Sequence, residues 1–188
     1  MPQMRILSPA ALQARGGPPG ARRSPTRARV CVLGALLALL AAPALAVAAG
    51  DPAPDFSLPS ARGGSVQLRS LLAQGPVVLW FPAPGQMSEA NIVPLVSAVG
   101  QAGASLLVIP VVGPDAAGLA LLSERFPALT LLHDSDGSVT FAYTGEFIPG
   151  ISPRHNLHVV TSAGQVSYVR FWPGVPTATL VQQIRAAR

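Results

Sequence analysis

The 188-residue chain carries 13 arginines, no lysine, 8 acidic residues and a single cysteine, Cys31. Its formal charge of +5 is concentrated at the start: Arg5, Arg15, Arg22, Arg23, Arg27 and Arg29 all precede the first acidic residue, Asp51. Residues 51–188 hold seven arginines against eight acidic residues, so no basic stripe remains to bind nucleic acid, and one cysteine excludes an internal disulfide framework.

The basic leader is followed by an uncharged, Leu/Ala-rich run, residues 30–50, containing Ala44-Leu45-Ala46 and Ala46-Val47-Ala48. A charged flank, an apolar run and a small-x-small exit describe a secretory signal peptide over residues 1–48. The run also approaches the roughly 20 apolar residues that span a bilayer, so an uncleaved N-terminal anchor is the alternative. The leader before the run is long, consistent with translation starting further along. Arg22-Arg23 lacks the apolar residues that would follow in a twin-arginine signal. Cys31 lies too early in the run to end a lipoprotein signal, and reads as a small apolar residue of the leader. The expectation is an exported protein, periplasmic or extracellular, that meets the membrane only if this segment stays attached.

Residues 51–188 are long enough for one domain with its own core. After a Pro-rich entry at 51–55, two short runs at 56–58 and 65–68 flank Gly63-Gly64 and predict a hairpin. The continuous apolar run 77–81 follows Gly75-Pro76, as a buried parallel strand does. Apolar residues at 92, 93, 95, 96 and 99, closed by Gly100, predict a helix from Ser88. A strand at 105–112, a helix at 114–126 and a strand at 129–132 come next. The Asp134–Gly137 turn leads into a short helix ending at Tyr143. Alternating runs at 156–160 and 165–171 surround Ser162-Ala163-Gly164 as a second hairpin, and residues 177–187 close with a helix. This order calls for a mixed sheet with helices on both faces.

Several segments carry a family likeness. The run Gly50-Asp51-Pro52-Ala53-Pro54-Asp55-Phe56-Ser57-Leu58 resembles the opening of the redoxin group, which joins the alkyl hydroperoxide reductase/thiol-specific antioxidant proteins and the exported thiol-disulfide interchange proteins. Residues 66–72, His133-Asp134-Ser135-Asp136-Gly137 through Ala142-Tyr143, and Pro153 to Gly164 continue the match over most of 50–188. The resemblance implies a thioredoxin-like three-layer α/β/α fold: a central mixed β-sheet and an N-terminal β-hairpin. It also implies peroxidase or thiol oxidoreductase chemistry at a cysteine placed on a helix N-terminus, where unpaired N–H groups favour the thiolate.

That cysteine is absent. A gapless match to the interchange proteins puts Gln86 on the first cysteine, Glu89 on the second and Pro94 on the helix proline; a peroxidase-style match also puts Gln86 on the nucleophile. A glutamine amide hydrogen-bonds but attacks neither peroxide nor disulfide. Ser88 is placed to cap the helix and Glu89 to put negative charge in its first turn. The resemblance further implies that Ser152-Pro153 is the cis-proline step facing the active site. It places Arg154, or equally His155, near the arginine that holds the peroxidatic cysteine. Gln86, Ser152, Pro153 and Arg154 thus outline a binding groove for an extended peptide or partner protein.

His133, His155 and His158 are the remaining metal-ligand types of interest. On a strand, residues 155 and 158 point to opposite faces, and the copper-carrying relatives of this fold use two cysteines absent here, so neither metal nor cofactor is expected. Asp134 and Asp136 belong to a turn, Trp80 and Trp172 to core and edge packing, and Ser88 has no sequence partner to activate it. The expected function is a redoxin-type domain without reactive cysteines, serving as a non-catalytic binding or accessory module. The alternative is an antioxidant or oxidoreductase activity by a cysteine-independent route.

Overall fold

A computed structural model describes residues 46–113 and 115–188. The leader and the body of the apolar run, on which the signal-peptide and anchor expectations rest, lie outside the described residues. Strands β1 (Ser57–Pro59) and β2 (Ser65–Gln67) pair antiparallel as the expected hairpin, Leu58 opposite Val66. Helix α1 (Leu68–Leu72) follows directly and takes in Leu68, which the sequence reading put at the end of the strand; Leu68 and Leu72, four apart, both turn inward.

The central sheet contains β3 (Val77–Trp80), β4 (Ser105–Val108), β5 (Thr130–Leu131), β6 (Leu157–Val160) and β7 (Val166–Arg170), in the order β5-β4-β3-β6-β7. β3, β4 and β5 run parallel, while β6 is antiparallel to β3 and β7 to β6. Pro110 ends β4 earlier than the apolar run suggests, yet the Ile109 and Val111 amides still donate across to Trp80 and Pro82.

Strand β3 shows why the run at 77–81 has no alternation: every residue is buried, because both faces are covered. Val78 and Trp80 face a layer formed by α2 (Glu89–Ala102), α3 (Ala116–Arg125) and α5 (Thr177–Ala186), packing with Leu95, Ala98, Leu119, Leu180 and Ile184. Val77, Leu79 and Phe81 face the hairpin, α1 and α4 (Ser138–Thr144), among Phe56, Leu58, Leu68 and Tyr143. The result is the three-layer α/β/α arrangement that the sequence predicts. Each fully buried aliphatic or aromatic side chain contributes about 1.5–3 kcal/mol by leaving water.

The loop before α4 is built around a buried carboxylate. Asp134 accepts hydrogen bonds from the Val139 amide at 3.3 Å and from the amide and hydroxyl of Thr140, both at 2.7 Å. Gly137 sits at φ +72°, the left-handed region a side chain disfavours, and the Phe147 ring fills the space a Cβ would need.

Candidate functional site

The loop after β3 carries the residues of greatest interest. Pro84 opens a single 3-10 turn, Pro84–Gln86, closed by hydrogen bonds from the Gln86 amide to the Ala83 carbonyl and from the Met87 amide to Pro84. Met87, only 2% exposed, then plunges into the core. Helix α2 begins after it, with Ser88 at the N-cap position and Glu89 in the first turn. Gln86 therefore does not stand on the helix N-terminus, as the sequence reading expects. The buried Met87 separates the turn from the helix, and the Asn91 side-chain amide seals the join by donating to the Gln86 carbonyl at 2.8 Å. The Ser88 hydroxyl makes no capping bond. Glu89 is exposed.

The Gln86 side chain is anchored from the opposite direction. Its Oε1 accepts from Nδ2 of Asn156 at 3.3 Å, and the same Nδ2 lies 2.9 Å from Ser152 Oγ and 3.1 Å from the Trp172 carbonyl. Asn156 Oδ1 accepts from the Trp172 amide at 2.7 Å, and its carbonyl accepts from the Phe81 amide at 2.8 Å. Ser152 Oγ donates to the Phe81 carbonyl at 3.3 Å. Trp172 Nε1 donates to the Asn91 carbonyl at 2.9 Å, which closes a ring of Gln86, Asn156, Trp172 and Asn91. Asn156 is fully buried and Trp172 only 2% exposed, so the two bonds between them form where solvent does not compete.

The structure thus brings Gln86 and Ser152 together, as the sequence predicts, with Asn156 as the unforeseen link. Pro153 is buried beside them. The one cis peptide bond among the described residues is Trp172–Pro173, so Ser152–Pro153 is trans, contrary to expectation. Trans is the lower-energy form of an X–Pro bond by about 0.5–1 kcal/mol, and the side chains of Ser152 and Asn156 already hold this loop against Phe81. Arg154 is exposed; its amide donates to Glu146 Oε1 at 2.5 Å, and its guanidinium is not drawn toward Gln86 by any hydrogen bond or ion pair among the described residues. Trp172 belongs to the core and the ring rather than to a sheet edge.

Sequence reasoning overlooked Asn156 and Asn91. The available signal was position: Asn156 is a polar residue at the threshold of the apolar run 157–160, and Asn91 interrupts the first apolar turn of α2.

The histidines are separated. His133 Nε2 is 3.0 Å from the Gly113 carbonyl, His155 is exposed, and His158 is buried on β6. His158 Nε2 lies 3.1 Å from the Tyr143 carbonyl, its Nδ1 has no partner, and its ring packs edge-on against Phe81 and Tyr143. Burial pushes its pKa down to about 4; the bond to the Tyr143 carbonyl works in the other direction, and nearby His155 adds a small further depression. Burial also raises the Tyr143 phenol, which donates to the Pro54 carbonyl at 2.7 Å. Concave surfaces occur away from Gln86, among them a groove of 420 Å³ along Ile92, Val93, Val96 and Phe126.

No protein-family model matches the chain, and no curated protein matches it in sequence. Solved structures do. Peroxidoxin BcpB from Mycobacterium tuberculosis superposes with a TM-score of 0.57 at 25% identity, covering 76% of this chain and 99% of its own. MTB dsbF, in its mixed oxidized and reduced forms, gives 0.52 at 26% identity over 71% and 95% of the two chains. The thiol:disulfide interchange protein DsbE of Chlorobium tepidum gives 0.57 at 21% identity over 76% and 99%. With the sheet order and the N-terminal hairpin described above, these likenesses place the chain in the thioredoxin-like superfamily that contains the redoxins.

Proposed function

We propose that this chain is an exported redoxin-fold protein that has given up thiol chemistry and acts as a binding or accessory module. The observation carrying this reading is that no cysteine occurs in residues 32–188. Gln86, the residue that the resemblance sets on the nucleophile position, has its side-chain oxygen bonded to Asn156. A thiolate is required to attack a disulfide or peroxide by the chemistry of the redoxins. An amide held in a hydrogen-bonded ring supplies neither the nucleophile nor a titratable group. The surface flanking the ring, with exposed Arg154 and half-exposed Gln86 and Ser152, is the natural docking face for an extended peptide or partner protein. Among the described residues no helix is long and apolar enough to cross a membrane.

The test is turnover of peroxide and of a model disulfide by the purified protein, alongside the variant Cys31→Ser. Both are expected to remain at background. Turnover that survives Cys31→Ser and disappears in Gln86→Ala would overturn the reading and support the second one, a cysteine-independent oxidoreductase. That alternative draws on the 25% and 26% identity to a peroxidoxin and to dsbF. For the binding role, Arg154→Glu changes an exposed side chain outside the ring and is expected to weaken recovery of a partner without altering the melting temperature.

A further inference from the structure

The first described residues are stitched into the domain. The Val47 amide donates to the Tyr143 carbonyl at 3.2 Å, and its half-buried side chain packs against the core cluster that contains Phe56, Phe81 and Tyr143. The same carbonyl is the one His158 Nε2 approaches at 3.1 Å. Beyond Val47, the Ala48 amide donates to Asp51 Oδ2 at 2.9 Å, Gly50 donates to the Val166 carbonyl at 2.7 Å, and the Val166 amide returns to Asp51 at 2.9 Å. Ala46 and Val47 are half-buried and Ala48, Ala49 and Gly50 exposed; of these five, Val47 is the one whose side chain packs against that core.

Two overlapping small-x-small exits meet at this point, one ending at Ala46, just before Val47, and one at Ala48, just after it. From the sequence alone they are equivalent. We propose that the processing site is the Ala46–Val47 peptide bond, and that Val47 becomes a folded-in N-terminus docked on the last turn of α4; this rests on the exported reading above. Hydrolysis of that bond by a signal peptidase consumes one water and leaves a carboxylate on Ala46 and an α-amino group on Val47. An α-amino group titrates at about 7.7–8.0 and is largely protonated at neutral pH. The new ammonium then replaces a neutral amide as donor to Tyr143, a charge-assisted bond to a carbonyl at a helix C-terminus, where positive charge is favoured. Cleavage after Ala48 would instead discard Val47. It would uncover part of the second core and leave the Tyr143 carbonyl to His158 alone.

The two exits can be separated genetically, because small residues are needed at the first and third positions before the cut. Ala44→Phe spoils only the exit ending at Ala46, and Ala48→Phe only the one ending at Ala48; the latter residue is exposed in the fold. The readout is N-terminal sequencing and intact mass of full-length protein expressed with its own leader. The wild type and Ala48→Phe are both expected to begin at Val47, and Ala44→Phe to accumulate as precursor or to begin at Ala49. Where the Ala49 form is obtained, its melting temperature is expected to fall by roughly 3–6 °C. A wild-type product beginning at Ala49, or loss of processing in Ala48→Phe with normal processing in Ala44→Phe, overturns the site while leaving export intact. Recovery of every form with the leader attached overturns both.

Discussion

Gln86 and Asn156, 70 residues apart in sequence, meet side chain to side chain at 3.3 Å in the loop that follows β3. The two partners are not equal. Asn156 is fully buried and also holds Ser152 and both backbone polar groups of Trp172, whereas Gln86 is half-exposed and can turn to water.

The asymmetry predicts a large difference between the two alanine variants. Asn156→Ala strands the Trp172 amide and carbonyl in a dry site and is expected to cost about 2–4 kcal/mol, since a buried unsatisfied group carries its full desolvation penalty. Gln86→Ala is expected to cost less than about 1 kcal/mol. Urea denaturation followed by Trp fluorescence measures both; equal losses would mean that the ring does not organise this loop.

A sulfur placed at position 86 should not by itself bring redoxin chemistry. In Gln86→Cys the thiol would lie in the 3-10 turn, ahead of buried Met87 and not on the first turn of α2, where Glu89 adds negative charge. Without the helix terminus to stabilise a thiolate, its pKa should stay near the ordinary value of about 8.5. The pH dependence of alkylation by iodoacetamide reports it directly. A midpoint below about 7 would show that the loop rearranges into the active geometry.

How far the sequence reveals this arrangement depends on which signal a residue carries. The layers were legible because apolar runs such as 77–81 and the spacing of 92, 95 and 99 have a fixed relation to burial, although α2 passes through Gly100, the expected stop, and ends at left-handed Gly103. The likeness to redoxins then ordered them into one topology. It also located Gln86 and Ser152 as neighbours. What stayed hidden was set by contacts distant in sequence. Asn156 gives no periodicity signal, and its role exists only because β6 lies beside β3, placing it against Phe81 and Gln86. The trans Ser152–Pro153 bond and the break at Met87 depend on local packing that the family likeness does not transmit.

Acid should weaken the fold through His158. In the unfolded chain a histidine titrates near 6.5, whereas in the folded protein burial holds His158 neutral down to about 4. The folded state binds fewer protons between those values, so stability is fully present above about 6.5 and falls as the pH drops toward 4. The loss attributable to this residue is on the order of 3 kcal/mol, complete once the folded form also protonates. His158→Phe keeps an aromatic ring against Phe81 and Tyr143 and removes the titration. Its unfolding free energy should decline less steeply over that interval, whatever its absolute value. An identical slope in both proteins would assign the acid sensitivity elsewhere.

Two glycines separate backbone strain from crowding. Gly63, at φ +91°, has nothing within 4 Å of where a Cβ would stand, whereas Gly137, at φ +72°, faces the Phe147 ring at that point. Gly63→Ala incurs only the left-handed penalty, about 1 kcal/mol. Gly137→Ala incurs that penalty and must also displace Phe147 from beside α4, next to the Asp134–Thr140 bonds that hold the start of this helix. It is expected to cost about 2–4 kcal/mol. Phe147→Ala in the Gly137→Ala background removes the obstacle, so the double variant should be more stable than the sum of the single losses predicts, by at least about 1 kcal/mol of coupling. Additive losses in thermal or urea unfolding would show that Phe147 does not restrict position 137, and that the left-handed backbone alone demands glycine there.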